Sequence, residues 1–383
     1  MDRRQFLSRT GAGLLGLFAC PSLEWIDAKS KMDKTYSIVI LGDIHFDADP
    51  ASVYHSDYHE NVKKHWEGIA RNGKMWKEHL PRLIRRAHDL ITPDTRMVFQ
   101  MGDLVQGDCG NPVVHEKMLT DAFLYVKRAM GDIPFVTVTG NHDIRGLQAK
   151  EVYHRFMPQR MSEELGKEIS KTTYYFTIGQ DAYIFLDFND PDDEELERAL
   201  RETRGARHTF VTTHAPLLPT DSANCRWIFH GADTPVENAK RRYFRKLFAE
   251  REIINLCGHT HKTEFSDWHG DGGRITQMTM SSVWAKENEN KYKIITQDIS
   301  TYGKLRNKAQ FSPTARGAVD ESALFEEYRS SLKQYSRASA AGSYKLNVSK
   351  RHITVDFYGG DSEEITKTFV LREWSGDLLQ MGG

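Results

Sequence analysis

The segment DIPFVTVTGNHD, residues 132–143, passes directly from apolar and β-branched residues to Gly140, Asn141, His142 and Asp143. The apolar part predicts a buried β-strand. Turns collect glycine, asparagine and aspartate for purely local reasons. This segment alone therefore does not indicate a functional site, and it must be compared with the other strand ends of the chain.

Five other segments have the same strand-like composition, and segments with a helical spacing of apolar residues lie between them. Near-continuous runs of β-branched and aromatic residues indicate strands that are covered on both faces. Strands that alternate with helices predict an α/β fold. The predicted strands are TYSIVILGDIH (35–45), RMVFQMGD (96–103), AYIFLDFND (182–190), HTFVTTHAP (208–216) and EIINLCGHTH (252–261), and the predicted helices include MWKEHLPRLIRRAHDLI (75–91), HEKMLTDAFLYVKRAM (115–130) and DDEELERALRET (192–203).

The C-terminal part of the chain has a different pattern. ESALFEEYRSSLKQYSR, residues 321–337, predicts one more helix. SYKLNVSKRHITVDFYGG (343–360) and EEITKTFVLREW (363–374) alternate apolar and polar residues, as half-exposed antiparallel strands do. Residues 302–320 are the best candidate for a linker before this segment.

The composition excludes some classes of partner and site. The 383 residues carry 52 Lys+Arg and 53 Asp+Glu, a formal net charge of −1, so no global field attracts nucleic acid or an acidic membrane. Any affinity for phosphate must therefore be local. Beyond the N-terminal segment the cysteines are Cys109, Cys225 and Cys257, and no CxxC motif occurs. This odd set disfavours both a disulfide framework and a thiolate zinc site.

Residues 1–30 predict an export signal. A charged start, MDRRQFLSRT, precedes the apolar run GAGLLGLFAC, which is too short to span a bilayer. RRQFL (residues 3–7) resembles the twin-arginine signature, although Asp2 replaces the usual hydroxyl residue. LFAC also resembles a lipobox in which Cys20 would be acylated, and a plain leader cleaved after Ala28 is the alternative. We therefore expect an exported protein, periplasmic or lipid-anchored at the bacterial cell envelope.

Residues that can bind metal follow five of the predicted strands. In an α/β sheet, ligands bind at the carboxyl ends of the strands. Imidazole and carboxylate without thiolate suit Zn, Mn, Fe or Ni. The candidates exceed the ligand number of one tetrahedral ion, but with one bridging carboxylate they would fill two ions. They are Asp43, His45, Asp103, Asn141, His214, His259 and His261.

In chain order the motifs GDIH, GD, GNHD, HAP and GHTH resemble the calcineurin-like metallophosphoesterase superfamily over residues 36–262. The resemblance implies two packed mixed β-sheets flanked by helices, a four-layer α-β-β-α fold, with a C-terminal α+β extension. We divide the chain into the export signal (1–30), a metallophosphoesterase domain (31–301) and a C-terminal helix with antiparallel strands (302–383). Whether the last part completes the sheets, closes the pocket or pairs subunits stays open.

The resemblance also assigns roles to the residues at the strand ends. With the export signal predicted above, it implies an exported dinuclear-metal phosphoesterase, and the resemblance itself implies cleavage of phosphomonoesters or phosphodiesters by in-line attack of a hydroxide between two divalent ions. His142 would face the substrate and assist the leaving group, and Asp143 would orient and charge it. One ion would be held by Asp43, His45, Asp103 and His261, and the other by Asp103, Asn141, His214 and His259.

Two departures from other branches narrow the resemblance. Gln106 stands where purple acid phosphatases carry a tyrosine, three residues after the bridging aspartate. GDLVQGD lacks the arginine of the GDxxDRG motif of serine/threonine phosphatases. The motif order is closest to the cyclic-nucleotide phosphodiesterase type.

Two segments beside the predicted centre could contact the rest of a substrate. FDADPASVYHSDYHENVKKHW (46–66) is rich in tyrosine and histidine, which either line the cleft or pack this insert onto the body. LLPTDSANCRWIFHGADTP (217–235) follows His214 on the same side, and a long loop beside a site is often functional. The candidates are Tyr54, His55, Tyr58 and His59 in the first segment and Arg226 and Trp227 in the second.

Two alternatives remain beside this hypothesis. One is a membrane-associated phospholipid or sugar-nucleotide pyrophosphatase, for which a lipid anchor would be useful. The other is a metal-containing cell-surface protein that binds a ligand without turnover. In each case we expect a small phosphorylated ligand, no nucleic-acid polymer, and membrane contact only through Cys20. The sequence leaves the oligomeric state open.

Overall fold

The structure is a computed structural model that describes residues 35–47, 54–55, 65–219, 227–282, 294–296, 321–338 and 341–374. The predicted export signal with Cys20, the predicted linker, and the substrate candidates Tyr58, His59 and Arg226 lie outside these ranges. Within them, no helix combines the length and the apolar character that a membrane span requires.

Helices and strands alternate through most of the described chain, as the sequence pattern predicts. The helices are α1 (Trp66–Glu78), α2 (Leu80–Asp89), α3 (Pro112–Met130), α4 (Ala149–Leu165), α5 (Asp193–Glu202), α6 (Pro235–Glu250) and α7 (Glu321–Arg329). The strands are β1 (Tyr36–Leu41), β2 (Thr95–Gln100), β3 (Phe135–Thr137), β4 (Tyr174–Ile178), β5 (Asp181–Leu186), β6 (Thr209–Thr213), β7 (Ile254–Cys257), β8 (Thr263–Gly270), β9 (Gly273–Thr279), β10 (Ile294–Thr296), β11 (Leu332–Ala338), β12 (Gly342–Val348), β13 (His352–Gly359) and β14 (Lys367–Glu373).

The strands form two mixed sheets. The described strands of the first sheet lie in the order β14-β13-β12-β1-β2-β3, and those of the second in the order β10-β11-β8-β9-β7-β6-β5-β4. β1, β2 and β3 run parallel, as do β5, β6 and β7. These parallel strands all end near one edge of the two sheets, and their loops position the site.

Aromatic side chains fill the space between the sheets. The ring of Phe99 on β2 lies 5.1 Å from that of Phe185 and 5.4 Å from that of Tyr183, both on β5. α2 packs on the outer face of the first sheet against β1 and β12, and α6 packs on the outer face of the second against β9. The predicted four-layer α-β-β-α architecture is therefore confirmed.

The C-terminal strands lie in both sheets. β12 pairs with β1 in the first sheet, and β11 pairs with β8 in the second. The prediction of one helix over residues 321–337 was wrong, because α7 ends at Arg329 and the following residues form β11. Pairing with the edge of β8 determines the structure there, which local helical spacing cannot reveal.

Candidate metal centre

The loops that follow five parallel strands meet at one edge of the two sheets. Asp43 and His45 follow β1, and Asp103 follows β2. The GNHD loop follows β3, His214 follows β6 directly, and the GHTH segment begins directly after β7. The seven predicted ligands thus come from both sheets and converge on one place.

The first group of ligands consists of four side chains whose donor atoms lie within 4.8 Å of one another. Nε2 of His261 lies 3.1 Å from Oδ2 of Asp43 and 3.1 Å from Nε2 of His45. Nε2 of His45 lies 3.7 Å from Oδ2 of Asp103. The other three side chains are buried, whereas that of His261 is 37% exposed, so solvent reaches this group from one side.

The second group lies beside the first and shares one carboxylate with it. Nε2 of His214 lies 3.2 Å from Oδ2 of Asp103 and 3.2 Å from Oδ1 of Asn141. Nδ1 of His259 lies 2.9 Å from the same asparagine oxygen and 3.2 Å from Nε2 of His214. The carboxylate of Asp103 therefore lies between the ligands of both groups.

The backbone of the centre is strained in a consistent way. Four of the predicted ligands have a positive φ, an uncommon conformation for residues other than glycine: His45 (44°), Asp103 (52°), His259 (69°) and His261 (53°). Backbone strain of this kind persists only where surrounding contacts enforce it, and it clusters at functional sites. The loop backbone therefore adopts unfavourable local conformations in order to place these side chains.

Glycine is required in the GNHD loop because of a close approach. A Cβ atom on Gly140 would lie 2.0 Å from the backbone nitrogen of Asp103 and 2.3 Å from its Oδ1. Any side chain there would displace the shared carboxylate. The backbone N–H of His142 donates to the same Oδ1 at 2.7 Å and helps to fix it.

Burial and charge together prepare these side chains for a cation. Burial raises the pKa of Asp103, but the charges of His214, His142 and His45 together outweigh it and hold that pKa well below its usual range. Burial lowers the pKa of His214, but the charges of Asp103 and Asp43 reverse this and raise it to about 10. Burial lowers the pKa values of His45 and His259 well below the usual value. These shifts favour a charged ring at His214 and uncharged rings at His45 and His259.

The donor set fits divalent metal ions. Two pairs of ring nitrogens lie 3.1 and 3.2 Å apart, a spacing at which two unprotonated nitrogens repel unless a cation lies between them. Metal binding takes the deprotonated form of each ligand and releases protons. Cys257 is buried, and its thiol forms hydrogen bonds with Met278 and Thr279. It lies outside the cluster, so its sulfur is not a metal ligand. A set of imidazole, carboxylate and amide ligands suits Mn, Zn, Fe or Ni.

His142 lies beside the first group without belonging to either. Its ring is perpendicular to that of His45, with 4.4 Å between the ring centroids. Its Nδ1–H donates to the carbonyl oxygen of Gln106 at 2.8 Å, and its Nε2 accepts from Nη1 of Arg145 at 3.1 Å. Burial, supported by the charge of Arg145, lowers the pKa of His142 to about 4.

The expected role of Asp143 needs correction. We expected its carboxylate to orient and charge His142, but it accepts the backbone N–H groups of Val105 at 3.0 Å and of Gly140 at 2.8 Å. Burial raises its pKa to about 7. Asp143 thus ties the two ligand loops together, and the ring of His142 is oriented by other groups.

The family comparison supports the same reading of the site. The model of the calcineurin-like phosphoesterase family matches residues 36–263, which is more than half of the chain. This chain belongs to the calcineurin-like phosphoesterase family. In this family, the cluster of aspartate and histidine side chains described above indicates a dimetal centre.

Solved structures of phosphatases have the same fold as this phosphoesterase. A structure of PhoD superposes with a TM-score of 0.51 at 10% identity, covering 92% of this chain and 74% of that one. The purple acid phosphatase PPD1 from yellow lupin (Lupinus luteus) gives a TM-score of 0.51 at 13% identity, covering 89% of this chain and 54% of its own. At such identities the likeness concerns the fold. No curated protein matches the chain significantly.

Of the predicted substrate residues that the structure describes, two are buried and one is partly exposed beside the centre. Tyr54 is buried and donates to Asp121 at 2.6 Å, and His55 is buried with its Nε2 3.2 Å from Oδ2 of Asp47. Both side chains are buried against these partners, which favours the alternative that they pack the insert onto the body. Trp227 is 43% exposed, and its ring lies 5.1 Å from that of His259.

Two residues near the centre were missed by the sequence analysis. Arg145 contacts His142 and forms an ion pair with buried Asp108. The ring of Phe188, after β5, lies 5.7 Å from that of His214 and 5.9 Å from that of His259. A cation three residues after a candidate catalytic histidine, in the same loop, was the available signal for Arg145.

Proposed function

We propose that the protein hydrolyses phosphomonoesters or phosphodiesters at this centre with two divalent cations, drawn from Mn, Zn, Fe and Ni. The main support is that two donor groups share the carboxylate of Asp103, beside an imidazole that belongs to neither group. Cations bound there would supply Lewis-acid polarisation of the phosphoryl oxygens and a nucleophilic water at neutral pH. Asp43, His45, Asp103 and His261 would hold one ion, and Asp103, Asn141, His214 and His259 the other.

Other side chains of the site would act on the substrate directly. A proton taken up from solvent by Nε2 of His142 would pass to the leaving alkoxide, because Nδ1 keeps its own proton in the hydrogen bond to the carbonyl oxygen of Gln106. Arg145 occupies that Nε2 in the structure. A phosphoryl oxygen would draw the guanidinium away from His142, since a charge-assisted hydrogen bond to phosphate is the stronger one. Substrate binding would thereby free the imidazole for proton transfer.

The surroundings of the second group suggest which leaving groups fit. Phe188 and Trp227 place aromatic rings beside His259, and the ring of Trp227 is partly exposed. Aromatic side chains contribute stacking contacts with planar groups beyond the area that they bury. We therefore propose that aryl or nucleoside esters of phosphate are preferred over small aliphatic ones.

The test is hydrolysis of p-nitrophenyl phosphate and of bis(p-nitrophenyl) phosphate by protein loaded with each of the four metals. Asp103→Asn should remove the shared ligand charge and abolish both metal retention and turnover. Asp89→Asn, which changes a half-exposed carboxylate at the end of α2, is the matched control and should leave both unchanged. Wild-type protein that retains two metal ions and binds aryl phosphate without turnover would instead support the ligand-binding alternative.

We also propose that the protein is exported through the signal predicted in residues 1–30. The twin-arginine-like RRQFL motif and the apolar run after it support this proposal. Replacing Arg3 and Arg4 by lysine should retain the protein in the cytoplasm of a bacterial host. Cys20→Ser should release it from the membrane fraction if the cysteine is acylated. An unchanged distribution in both variants would contradict export by this route.

A further inference from the structure

A second pocket lies at the opposite edge of the sheets from the metal centre. It has a volume of about 270 Å³ and is lined at its base by Thr209 and Ile254, the first residues of β6 and β7. His214 follows the far end of β6. Because a strand rises roughly 3.3 Å per residue, the five residues of β6 separate the two sites by roughly 16 Å. We call this the basic pocket.

Four arginine side chains line the basic pocket, together with the carboxylates of Glu250, which pairs with Lys246, and Glu252. Two of them are already neutralised: Arg207 donates two hydrogen bonds to buried Asp181, at 2.9 and 2.6 Å, and Arg372 contacts Glu252 at 3.3 Å. These pairs hold the pocket together. They leave their arginines no free charge with which to recruit a ligand.

The two other arginines of the wall are not neutralised by the described residues. No carboxylate of the described chain forms an ion pair with Arg204 or Arg251. Nε of Arg251 is buried and has no hydrogen-bond partner there, while its Nη2 reaches only the hydroxyl of Thr203, at 3.3 Å. Burial and the charge of Arg204 lower the pKa of Arg251. The fold thus holds two like charges together, at a cost that an anion between them would remove.

A planar surface adjoins these arginines. The indole of Trp374 stacks on the imidazole of His208, with the centroids 4.6 Å apart and the planes 26° from parallel. Nε2 of His208 donates to the carbonyl oxygen of Ser349 at 3.0 Å, so the imidazole is fixed in place. The guanidinium carbon of Arg372 also lies 5.8 Å from the centroid of the indole, and Trp374 stays 37% exposed, which leaves part of its ring available to a bound molecule.

We propose that the basic pocket binds a phosphate-bearing anion, with Arg204 and Arg251 as the phosphate ligands and Trp374 beside them for a planar group. Paired arginine forks match the oxygens of phosphate, and stacking on an indole is the usual way to hold a base or another aromatic ring. This site does not depend on the metal centre or on the activity proposed for it.

The test measures binding of inorganic phosphate and of AMP to the full chain by isothermal titration calorimetry. The Asp103→Asn variant serves as background, because phosphate can also bind at an intact metal centre. On this background we expect one phosphate per chain, bound about 10- to 100-fold more weakly after Arg204→Gln or Arg251→Gln, as the loss of a charge-assisted hydrogen bond predicts. Arg71→Gln, an exposed arginine on α1, is the matched control and should leave binding unchanged.

The two ligands separate the contributions of charge and stacking. Trp374→Ala should weaken the binding of AMP but not that of inorganic phosphate if the indole holds the base. Equal effects on the two affinities would show that the indole does not bind a planar group. Arg204 is exposed, so its substitution should not perturb folding, and circular dichroism of both arginine variants checks this. Absence of phosphate binding on the Asp103→Asn background, or equal affinity in the arginine variants, would overturn the proposal.

Discussion

A close contact behind the metal centre gives a sharp prediction for Gly258→Ala. Gly258 directly precedes His259, and a Cβ atom built on it would lie 2.2 Å from Oδ1 of Asp43 and 3.0 Å from the carbonyl oxygen of Met101. The backbone carbonyl cannot move easily, so the carboxylate must yield. Its two oxygens accept the N–H of His259 at 3.1 and 3.0 Å, and those bonds would be lost with the movement.

The size of the effect follows from these distances. An ordinary carbon–oxygen contact is 3.4 Å or longer, so the carboxylate of Asp43 must move by about 1 Å. Metal–ligand distances tolerate only about 0.2 Å, and a misplacement of about 1 Å can cost about 100-fold in rate. Overpacking itself costs about 1–3 kcal/mol of folding stability. Gly258→Ala should therefore fold, lose one of two metal ions and retain about 1% of the activity.

Three measurements check this expectation. Metal content by mass spectrometry, kcat/KM on bis(p-nitrophenyl) phosphate and the midpoint of urea unfolding are compared between wild type and variant. Gly205→Ala is the matched control, because nothing lies within 4 Å of the position of its added Cβ atom. A Gly258→Ala protein with two bound metal ions and wild-type kcat/KM would refute the placement of Asp43 as a ligand fixed against this glycine.

Three further predictions concern other groups around the centre. Arg145→Met removes the guanidinium that would bind a phosphoryl oxygen of the substrate and should lower kcat/KM about 10- to 100-fold, whereas exposed Arg155→Met should not; equal kinetics of the two would contradict it. Trp227→Ala should raise KM for aryl phosphodiesters about 2- to 10-fold, with little change in kcat, if its ring stacks on the leaving group; an unchanged KM would exclude that contact. Burial lowers the pKa of His115 to about 4, so this residue contributes stability that is present above pH 6.5 and lost as the pH falls toward 4. Between pH 7 and pH 5, wild-type protein treated with chelator should lose about 2 kcal/mol more unfolding free energy than His115→Gln, and parallel urea curves would refute this.

The ligand positions could be predicted from the sequence because each lies at a boundary that is local in the chain. A strand such as β2 consists of apolar residues up to the point where Asp103 follows, and the change in polarity marks the end of the buried strand. Convergence of several such ends follows from the rule that parallel strands share their carboxyl edge. The seven side chains accordingly meet in space, although no single motif would have been informative.

Contacts between distant loops could not be predicted in the same way. Asp143 was paired with its neighbour His142 because the two are adjacent in the chain, but the buried carboxylate is directed to the amide of Val105 on another loop. Burial forces such a group to take whatever donors the tertiary structure supplies. The same reasoning explains Tyr54 and His55, whose polar atoms are satisfied by the residues that bury them.

The C-terminal strands belong to the frame that positions the metal centre. β1, which leads to Asp43, pairs with β2 on one side, and on the other side all six of its residues pair with β12. The backbone N–H of Gly42 donates to Oγ of Ser282 at 2.8 Å, and that hydroxyl donates to the carbonyl oxygen of Gly342 at 2.8 Å. The family match ends at residue 263, before β9 and all later strands. The loop that carries the first predicted ligand is therefore held by residues almost 300 positions further along the chain, and without them β1 would be an exposed edge strand whose loop had lost its support.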